Sequence, residues 1–363
     1  MPPRPTLPRS RAEALRRPLA AWFRRARRDL PWRAEPRDGW AVLVSEVMLQ
    51  QTRVEVVAPR FRAFLDRWPT PAAMAAAPED AVLAAWSGLG YYRRAVHLHR
   101  AARAVVDRHG GEMPRDLDAL RALPGVGEYT AAAVGSLALG LRAPLVDGNV
   151  ARVLSRLFAV RGDPRRGAAA ARVRALAAAL VPRNAGPWNE ALMELGALVC
   201  IPARPRCGDC PLTRECVARG RGLQDRLPEL AARKPSRPLR LAAGLVSGPG
   251  GTLLLRRPAG GLLGGTWELP HAEVHEGEDP RGCLSAALAG RLGGRWTVGP
   301  LAATVRHSIL DRRITLEAYP VLGKRPRAGR GAVYACAETL AGLPVSSLVG
   351  KVLRGAAKGD GRN

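Results

Sequence analysis

Leu123-Pro124-Gly125-Val126-Gly127 lies between two runs of helical apolar spacing, Leu117–Ala122 and Tyr129–Leu139, and joins them as a helical hairpin. Glycines at both ends of a three-residue step permit a tight backbone turn, and such a turn leaves the first amides of the following helix facing outward. Amides of that kind bind a phosphate oxygen without reading a base, so Gly125, Val126 and Gly127 are candidates for contact with a nucleic-acid backbone. The plainer alternative is a turn between helices and nothing more.

Outward from this hairpin the same pattern holds from Ala12 to about Val217, with apolar residues at three- and four-residue spacing and alanine-rich stretches such as Ala168–Val181. Pro69–Pro71 and Gly110–Gly111 cut the run into short helices, which predicts an all-α domain over residues 1–218. Residues 219–240 turn to Gly, Pro, Arg and Lys with few bulky apolar side chains, the composition of a connector. Beyond it, β-type runs at Leu241–Val246, Thr252–Leu255, Ile314–Val321 and Gly331–Ala335, with a helical stretch near Arg281–Leu292, predict an α+β domain over 241–355. Residues 356–363 read as a disordered tail, and no internal repeat is present. The fold class expected is thus multidomain, all-α followed by α+β.

The 363 residues carry 57 basic against 31 acidic side chains, a formal charge of +26, and the basic residues are nearly all arginine. So large an imbalance favours a polyanionic partner, either nucleic acid or an anionic membrane surface, over a merely soluble arginine-rich exterior. The basic N-terminus, Met1–Arg33, has no apolar run of signal-peptide length, and no stretch of about twenty apolar residues occurs, so a cytoplasmic location without membrane contact is expected.

Of six cysteines, four fall together: Cys200, Cys207, Cys210 and Cys216, spaced C-x6-C-x2-C-x5-C, while Cys283 and Cys336 stand apart. That is no disulfide framework. Four thiolates in one compact loop suit tetrahedral zinc or a cubane iron–sulfur cluster, and one C-x2-C pair with longer arms on each side fits the larger object better. Arg204, Arg206 and Arg214 would present cations from the same loop to a phosphate backbone.

Two carboxylates stand out. Trp40–Met48 is an apolar helical run interrupted only by Ser45 and Glu46. A glutamate there loses solvation, its pKa rises, and it can hold a proton near neutral pH for a leaving group; the alternative is a surface glutamate paired with one of the many arginines. Asp147 opens Asp147-Gly148-Asn149-Val150 at the start of another helix, a position most often occupied by an N-cap. Cleaving an N-glycosidic bond needs one group to protonate the departing base and another to stabilise the cationic sugar, and Glu46 with Asp147 is the pair chosen for those tasks.

Ser45-Glu46-Val47-Met48-Leu49-Gln50-Gln51-Thr52, Gly88-Leu89-Gly90-Tyr91-Tyr92, the hairpin, Val146-Asp147-Gly148-Asn149-Val150 and the four-cysteine loop together closely resemble the MutY-type adenine DNA glycosylases, in the same order over most of residues 20–217. The resemblance implies the helix-hairpin-helix fold shared with endonuclease III, with a six-helix part at about 39–147 and a cluster part from about 1–38 and 148–218. It implies one four-iron four-sulfur ([4Fe-4S]) cluster on Cys200, Cys207, Cys210 and Cys216. Glu46 would protonate adenine, Asp147 would stabilise the oxocarbenium ion or its successor, and Asn149 and Tyr129 would complete the catalytic group. Gln51 and Tyr91 would wedge into the duplex while adenine is flipped out; for Tyr91 the alternative is a core aromatic. The implied partner is double-stranded DNA with adenine opposite 8-oxoguanine or guanine, met by a monomer in the bacterial cytoplasm at the nucleoid.

Endonuclease III-like enzymes carry a Schiff-base lysine two residues after the hairpin's last glycine, where this chain has Tyr129, and no lysine precedes Lys234. Strand cleavage through an amine nucleophile of the first domain is therefore excluded, and a monofunctional glycosylase is expected. The second half resembles the Nudix-like domain of the same family, marked by Gly261-Leu262-Leu263-Gly264-Gly265-Thr266-Trp267-Glu268-Leu269-Pro270. Arg281–Arg295 has no glutamate run to hold magnesium, so diphosphate hydrolysis is not expected. Where relatives carry a Phe-Ser-His loop, this chain reads Arg306-His307-Ser308-Ile309-Leu310-Asp311, leaving His307 and Ser308 as the candidates for touching the lesion. Two rival readings are an endonuclease III-like glycosylase for pyrimidine lesions and a non-catalytic, cluster-bearing protein that binds DNA or senses redox state.

Overall fold

The computed structural model describes residues 8–232, 235–258, 264–309, 311–324, 326–327, 329 and 331–359. Contacts divide the chain into two compact units, residues 1–76 with 97–232 and residues 77–96 with 233–363. In chain order the helices are α1 (Arg9–Ala26), α2 (Gly39–Leu49), α3 (Val54–Arg67), α4 (Pro71–Ala75), α5 (Glu79–Ala85), α6 (Arg93–His109), α7 (Leu117–Arg121), α8 (Glu128–Leu137), α9 (Gly148–Leu157), α10 (Gly167–Leu180), α11 (Ala185–Leu198), α12 (Val217–Gly220), α13 (Pro280–Leu292), α14 (Ala337–Ala341) and α15 (Ser347–Gly359). No described helix is long and apolar enough to cross a membrane.

The first unit is built around α2. Its residues are apolar on every side, which suits a helix enclosed by others, and Trp40, Val42, Leu43, Val44, Val47 and Met48 are all buried. Asp38 starts the helix by accepting the Ala41 N–H at 2.8 Å. Packing against α2 falls to α8, whose Ala131, Ala132, Ala133 and Gly135 keep its surface low enough for close approach. A second cluster joins Leu15 and Leu19 of α1, Val150 and Leu154 of α9, Val173 and Leu176 of α10, and Leu192 and Leu195 of α11. Each such side chain contributes about 1.5–3 kcal/mol on burial. Between α7 and α8 the expected hairpin is present: Gly125 has φ +77°, and a Cβ there would meet the His97 Cβ at 2.5 Å, so both conformation and space call for glycine.

The second unit holds two sheets made of β1 (Arg237–Leu245), β2 (Ser247–Gly248), β3 (Gly251–Arg256), β4 (Trp267–Glu268), β5 (His271–Val274), β6 (Trp296–Val298), β7 (Ala303–Ile309), β8 (Arg312–Gly323) and β9 (Ala332–Ala335). The larger runs β5-β1-β8-β6 with β7 also on β8; β1 and β8 are parallel and the other pairs antiparallel. Successive residues of a strand point to opposite faces. Ala242 accordingly joins the core with Leu284 and Leu288 of α13, and Ala243 the core with Leu348, Val349 and Val352 of α15.

Two sequence expectations change. The stretch from 356 was expected as a tail, but α15 continues to Gly359, because Leu348, Val349, Val352 and Leu353 give it an apolar face to lay on the sheet. The connector is shorter than 219–240, since β1 already begins at Arg237 in register with Arg312 of β8. Gly261, Leu262 and Leu263 of the expected marker, Leu310, and the last residues of the tail, 360–363, lie outside the described residues.

Candidate active site

A cavity of about 460 Å³ opens in the first unit between α2, the turn after it, α8, the start of α9 and α11. Glu46, Gln51, Tyr129, Asp147 and Asn149, distant in sequence, all line it. Glu46 is only 7% exposed. Burial pushes its carboxyl up to about 7, against a hydrogen bond from Tyr129, while the negative charges of Asp147 and Glu190 add to the rise. Tyr129 is itself held far above the ordinary phenol range by burial and by the same two carboxylates, Glu46 and Asp147. It therefore stays a neutral donor to Glu46, with its hydroxyl 3.8 Å from the Met193 sulfur.

Asp147 does what its sequence position suggests and more. One carboxylate oxygen accepts the Val150 N–H at 2.6 Å, the N-cap bond of α9, and the other accepts the Asn149 side-chain amide at 3.0 Å. Burial raises the carboxyl, opposed by these hydrogen bonds and by the charge of Arg152. Capping and facing the cavity are thus compatible. Asn149 is fixed in turn by Arg152, which donates to its side-chain oxygen at 2.9 Å, and by Gly196 of α11, where a Cβ would stand 2.6 Å from that of Asn149.

Sequence reading missed the wall made by α11. Glu194 accepts from Arg28 at 2.9 Å and from Arg33 at 3.1 Å, and Glu190 from Arg33 at 3.2 Å and Arg37 at 3.1 Å. All five side chains line the cavity. Burial would raise Glu194, but its hydrogen bonds from Arg28 and Arg33 prevail and hold it at about 2.

Gln51 is exposed, with the left-handed φ of +61° that bulky residues seldom adopt. In the hairpin, Gly127 precedes α8 without any side-chain cap, and Val126 is buried and donates to the Leu123 carbonyl at 3.1 Å. Tyr91, in the second unit, is 36% exposed with φ +48°, whereas its neighbour Tyr92 is the buried aromatic. Both residues of the expected lesion-contact stretch lie on strand β7, where alternation turns His307 and Ser308 to opposite faces. His307 stands 3.4 Å from both Ser347 Oγ and Lys351 Nζ of α15, and Ser308 is exposed.

Cys200, Cys207, Cys210 and Cys216 border one small cavity of about 30 Å³. Arg156 donates to the Cys200 sulfur at 3.4 Å, and Cys216 lies 3.6 Å from the Arg156 carbonyl. A cation at a sulfur and four thiols around one space fit a thiolate-bound group carrying negative charge. Among the described residues no group of three or more His, Cys, Asp or Glu is arranged to hold a metal ion.

Residues 44–179 match the family described as HhH-GPD superfamily base excision DNA repair protein, and residues 242–355 match the NUDIX domain. The chain is 36% identical to the adenine DNA glycosylase of Homo sapiens over 407 residues, covering 94% of this chain and 73% of that protein. Among solved structures, it is similar to a thermostable thymine-DNA glycosylase, with 30% identity, a TM-score of 0.54 and coverage of 58% of this chain and 98% of that one. It is likewise similar to endonuclease III in a non-covalent DNA complex, with 25% identity, a TM-score of 0.50 and coverage of 60% and 99%.

Proposed function

This chain belongs to the adenine DNA glycosylases, of the HhH-GPD superfamily of base excision repair proteins with a Nudix-like domain following, and from that membership we propose that it excises adenine mispaired with 8-oxoguanine or guanine in double-stranded DNA and leaves an abasic site. It is a DNA N-glycosylase and its substrate is DNA. The observation that carries the reading is a buried glutamate, raised to about 7, in one cavity with a second carboxylate.

Breaking the C1′–N9 bond leaves an electron pair on adenine and positive charge on the sugar. Glu46, about half protonated near neutral pH, gives its proton to the departing base, while Tyr129 holds the carboxyl in place. Asp147 stabilises the cationic sugar, its two oxygens aligned by the Val150 N–H and the Asn149 amide. Adenine must first leave the stack, at a cost of a few kcal/mol. Gln51 and Tyr91 wedge into the duplex, the amides around Gly125, Val126 and Gly127 take a phosphate, and His307 or Ser308, which β7 turns to opposite faces, touches the opposite lesion. The chain's first lysine is Lys234, so no amine of the cavity forms a Schiff base and water completes the reaction. Cys200, Cys207, Cys210 and Cys216 would hold a four-iron four-sulfur cluster that shapes their loop for DNA binding. We assign the activity to a monomer in the bacterial cytoplasm.

A duplex with one adenine opposite 8-oxoguanine, incubated with the protein and then treated with alkali, is expected to break at that adenine, and so is one with guanine opposite. Breakage without alkali would remove the monofunctional assignment. An adenine strand still intact after alkali, or release of thymine glycol instead, would overturn the reading altogether.

A further inference from the structure

The segment Gly88–Tyr92 carries three left-handed residues in four: Gly88 at φ +86°, Gly90 at +69° and Tyr91 at +48°. Glycine enters that region freely and tyrosine does not, so a tyrosine there persists only where its surroundings over-determine it. Here they do. Arg94, on the first turn of α6 and buried itself, donates from Nη2 to the Leu89 carbonyl at 2.9 Å and the Gly90 carbonyl at 3.0 Å, and its backbone N–H donates to the Tyr91 carbonyl at 2.9 Å. Its guanidinium also stacks on two rings, 5.3 Å from the Trp86 centroid and 5.5 Å from that of Tyr91. Trp86 adds a third donor, its indole N–H reaching the Gly90 carbonyl at 3.0 Å.

Tyr92 fastens the same segment elsewhere. Its hydroxyl donates to the Val345 carbonyl at 2.6 Å and receives hydrogen bonds from the Ser87 side chain and the Gly88 backbone. Val345 is fixed by a bridge to Trp267, whose N–H donates to the Pro344 carbonyl at 2.9 Å. A second connection of the same kind joins Asp80 to Arg256. All these residues belong to the second unit, in which residues 77–96 fold together with the C-terminal ones. Among the described residues, one hydroxyl thus links the turn that presents Tyr91 to the stretch leading into α15.

We propose that Tyr92 and Arg94 are positioning residues which hold Tyr91 exposed and left-handed for entry into the duplex, and that the Tyr92 hydroxyl makes this conformation depend on the C-terminal residues through Val345. The inference rests on the reading of Tyr91 as the side chain that enters the DNA.

The test compares Tyr91→Ala, Tyr92→Phe and the double variant in the full-length protein. Two readouts are taken: the fluorescence rise of 2-aminopurine opposite 8-oxoguanine, which reports extrusion, and single-turnover excision of adenine. Tyr92→Phe keeps the ring but leaves the Val345 carbonyl without its donor, so its denaturation midpoint is expected to fall a little, and at a temperature where it remains fully folded both readouts are expected to fall about threefold to tenfold, the scale of one buried hydrogen bond. In the double variant the loss is expected to equal that of Tyr91→Ala alone, the sign that both act through one element. Arg94→Lys, which keeps the charge but cannot fork to two carbonyls and stack on two rings, is expected to behave as Tyr92→Phe does. Wild-type extrusion in both Tyr92→Phe and Arg94→Lys, or losses that multiply in the double variant, overturns the positioning role while leaving Tyr91 its own. Wild-type behaviour of Tyr91→Ala overturns the role of Tyr91 and this inference with it.

Discussion

Two walls of one cavity each carry buried glutamate, and they treat it in opposite ways. On α2, Glu46 is buried in an otherwise apolar helix, takes a hydrogen bond from a neutral phenol, and is pushed up to about 7. On α11, Glu194 is at least as buried, yet Arg28 and Arg33 hold it at about 2. Burial is common to both, so burial does not decide; the supply of cations does. Two unit charges at about 4 Å attract by roughly 4 kcal/mol at the dielectric usual for proteins, enough to offset a desolvation cost of that size. In a chain with 57 basic side chains, what distinguishes Glu46 is that the described residues give it no ion pair. One wall stores a proton and the other stores fixed charge.

The sharpest way to break this contrast is to remove the stored proton. Glu46→Gln keeps the shape of the side chain but has no acid to give, and excision is expected to fall by about two to four orders of magnitude with duplex affinity retained. Near-normal single-turnover rates would take Glu46 out of the mechanism. The opposite wall is broken by Arg33→Met, which leaves Glu190 and Glu194 buried with fewer cations. A loss of about 3–5 kcal/mol in unfolding free energy is expected, as for other buried pairs that lose one partner. An unchanged urea midpoint would show that Arg28 and Arg37 suffice.

How much of this was legible beforehand differs between the walls for a physical reason. The α2 wall is local: a single glutamate inside Trp40–Met48 announces its own desolvation, and the hairpin and the helix that Asp147 begins carry equally local signatures. The α11 wall is not. Arg33 and Glu190 stand 157 residues apart, and with arginine so abundant no glutamate points to one partner over another. In the second unit the four runs read as strands fall on β1, β3, β8 and β9, being short, apolar and bounded by turn residues. Strand β7, Ala-Thr-Val-Arg-His-Ser-Ile, carries the alternation of a half-buried strand, and only the resemblance to a lesion-contact loop at Arg306–Asp311 draws the reading away from it. The α15 helix is hidden differently, its apolar face being short and followed by Gly, Lys and Asp.

Acidity separates the two walls by a smaller margin. With Glu46 as the proposed proton donor, the excision rate is expected to fall about tenfold per pH unit above about 7. The role proposed for Asp147 uses its ionised form, and because burial raises its carboxyl the acid limb is expected to begin above the ordinary aspartate range. Stability moves oppositely on the two walls. Glu46 is raised in the folded state from 4.5, so its contribution is fully present below 4.5 and is lost as pH rises through about 7. Glu194 is depressed, so its contribution is present above 4.5 and is lost as pH falls toward about 2. The Glu46→Gln protein is therefore expected to gain stability relative to wild type between pH 4.5 and 7, measured as denaturation midpoints across that range. A constant difference between the two proteins would mean that Glu46 is not raised by burial.

Asp147 belongs to neither wall, and its two tasks separate at the smallest scale. Asparagine accepts the Val150 N–H as aspartate does and ranks with it as an N-cap, so Asp147→Asn is expected to unfold at the wild-type midpoint. Alanine leaves that N–H without its acceptor, at a cost of about 0.5–2 kcal/mol. Both substitutions remove the negative charge that lines the cavity and is proposed to stabilise the sugar, so both are expected to bind duplex DNA and fail to release adenine. Equal activity of Asp147→Asn and wild type would reduce Asp147 to a helix cap. Loss of DNA binding in Asp147→Asn would point the same way, because a cap serves the fold, whereas the role proposed for the carboxylate's charge concerns only the bond being broken.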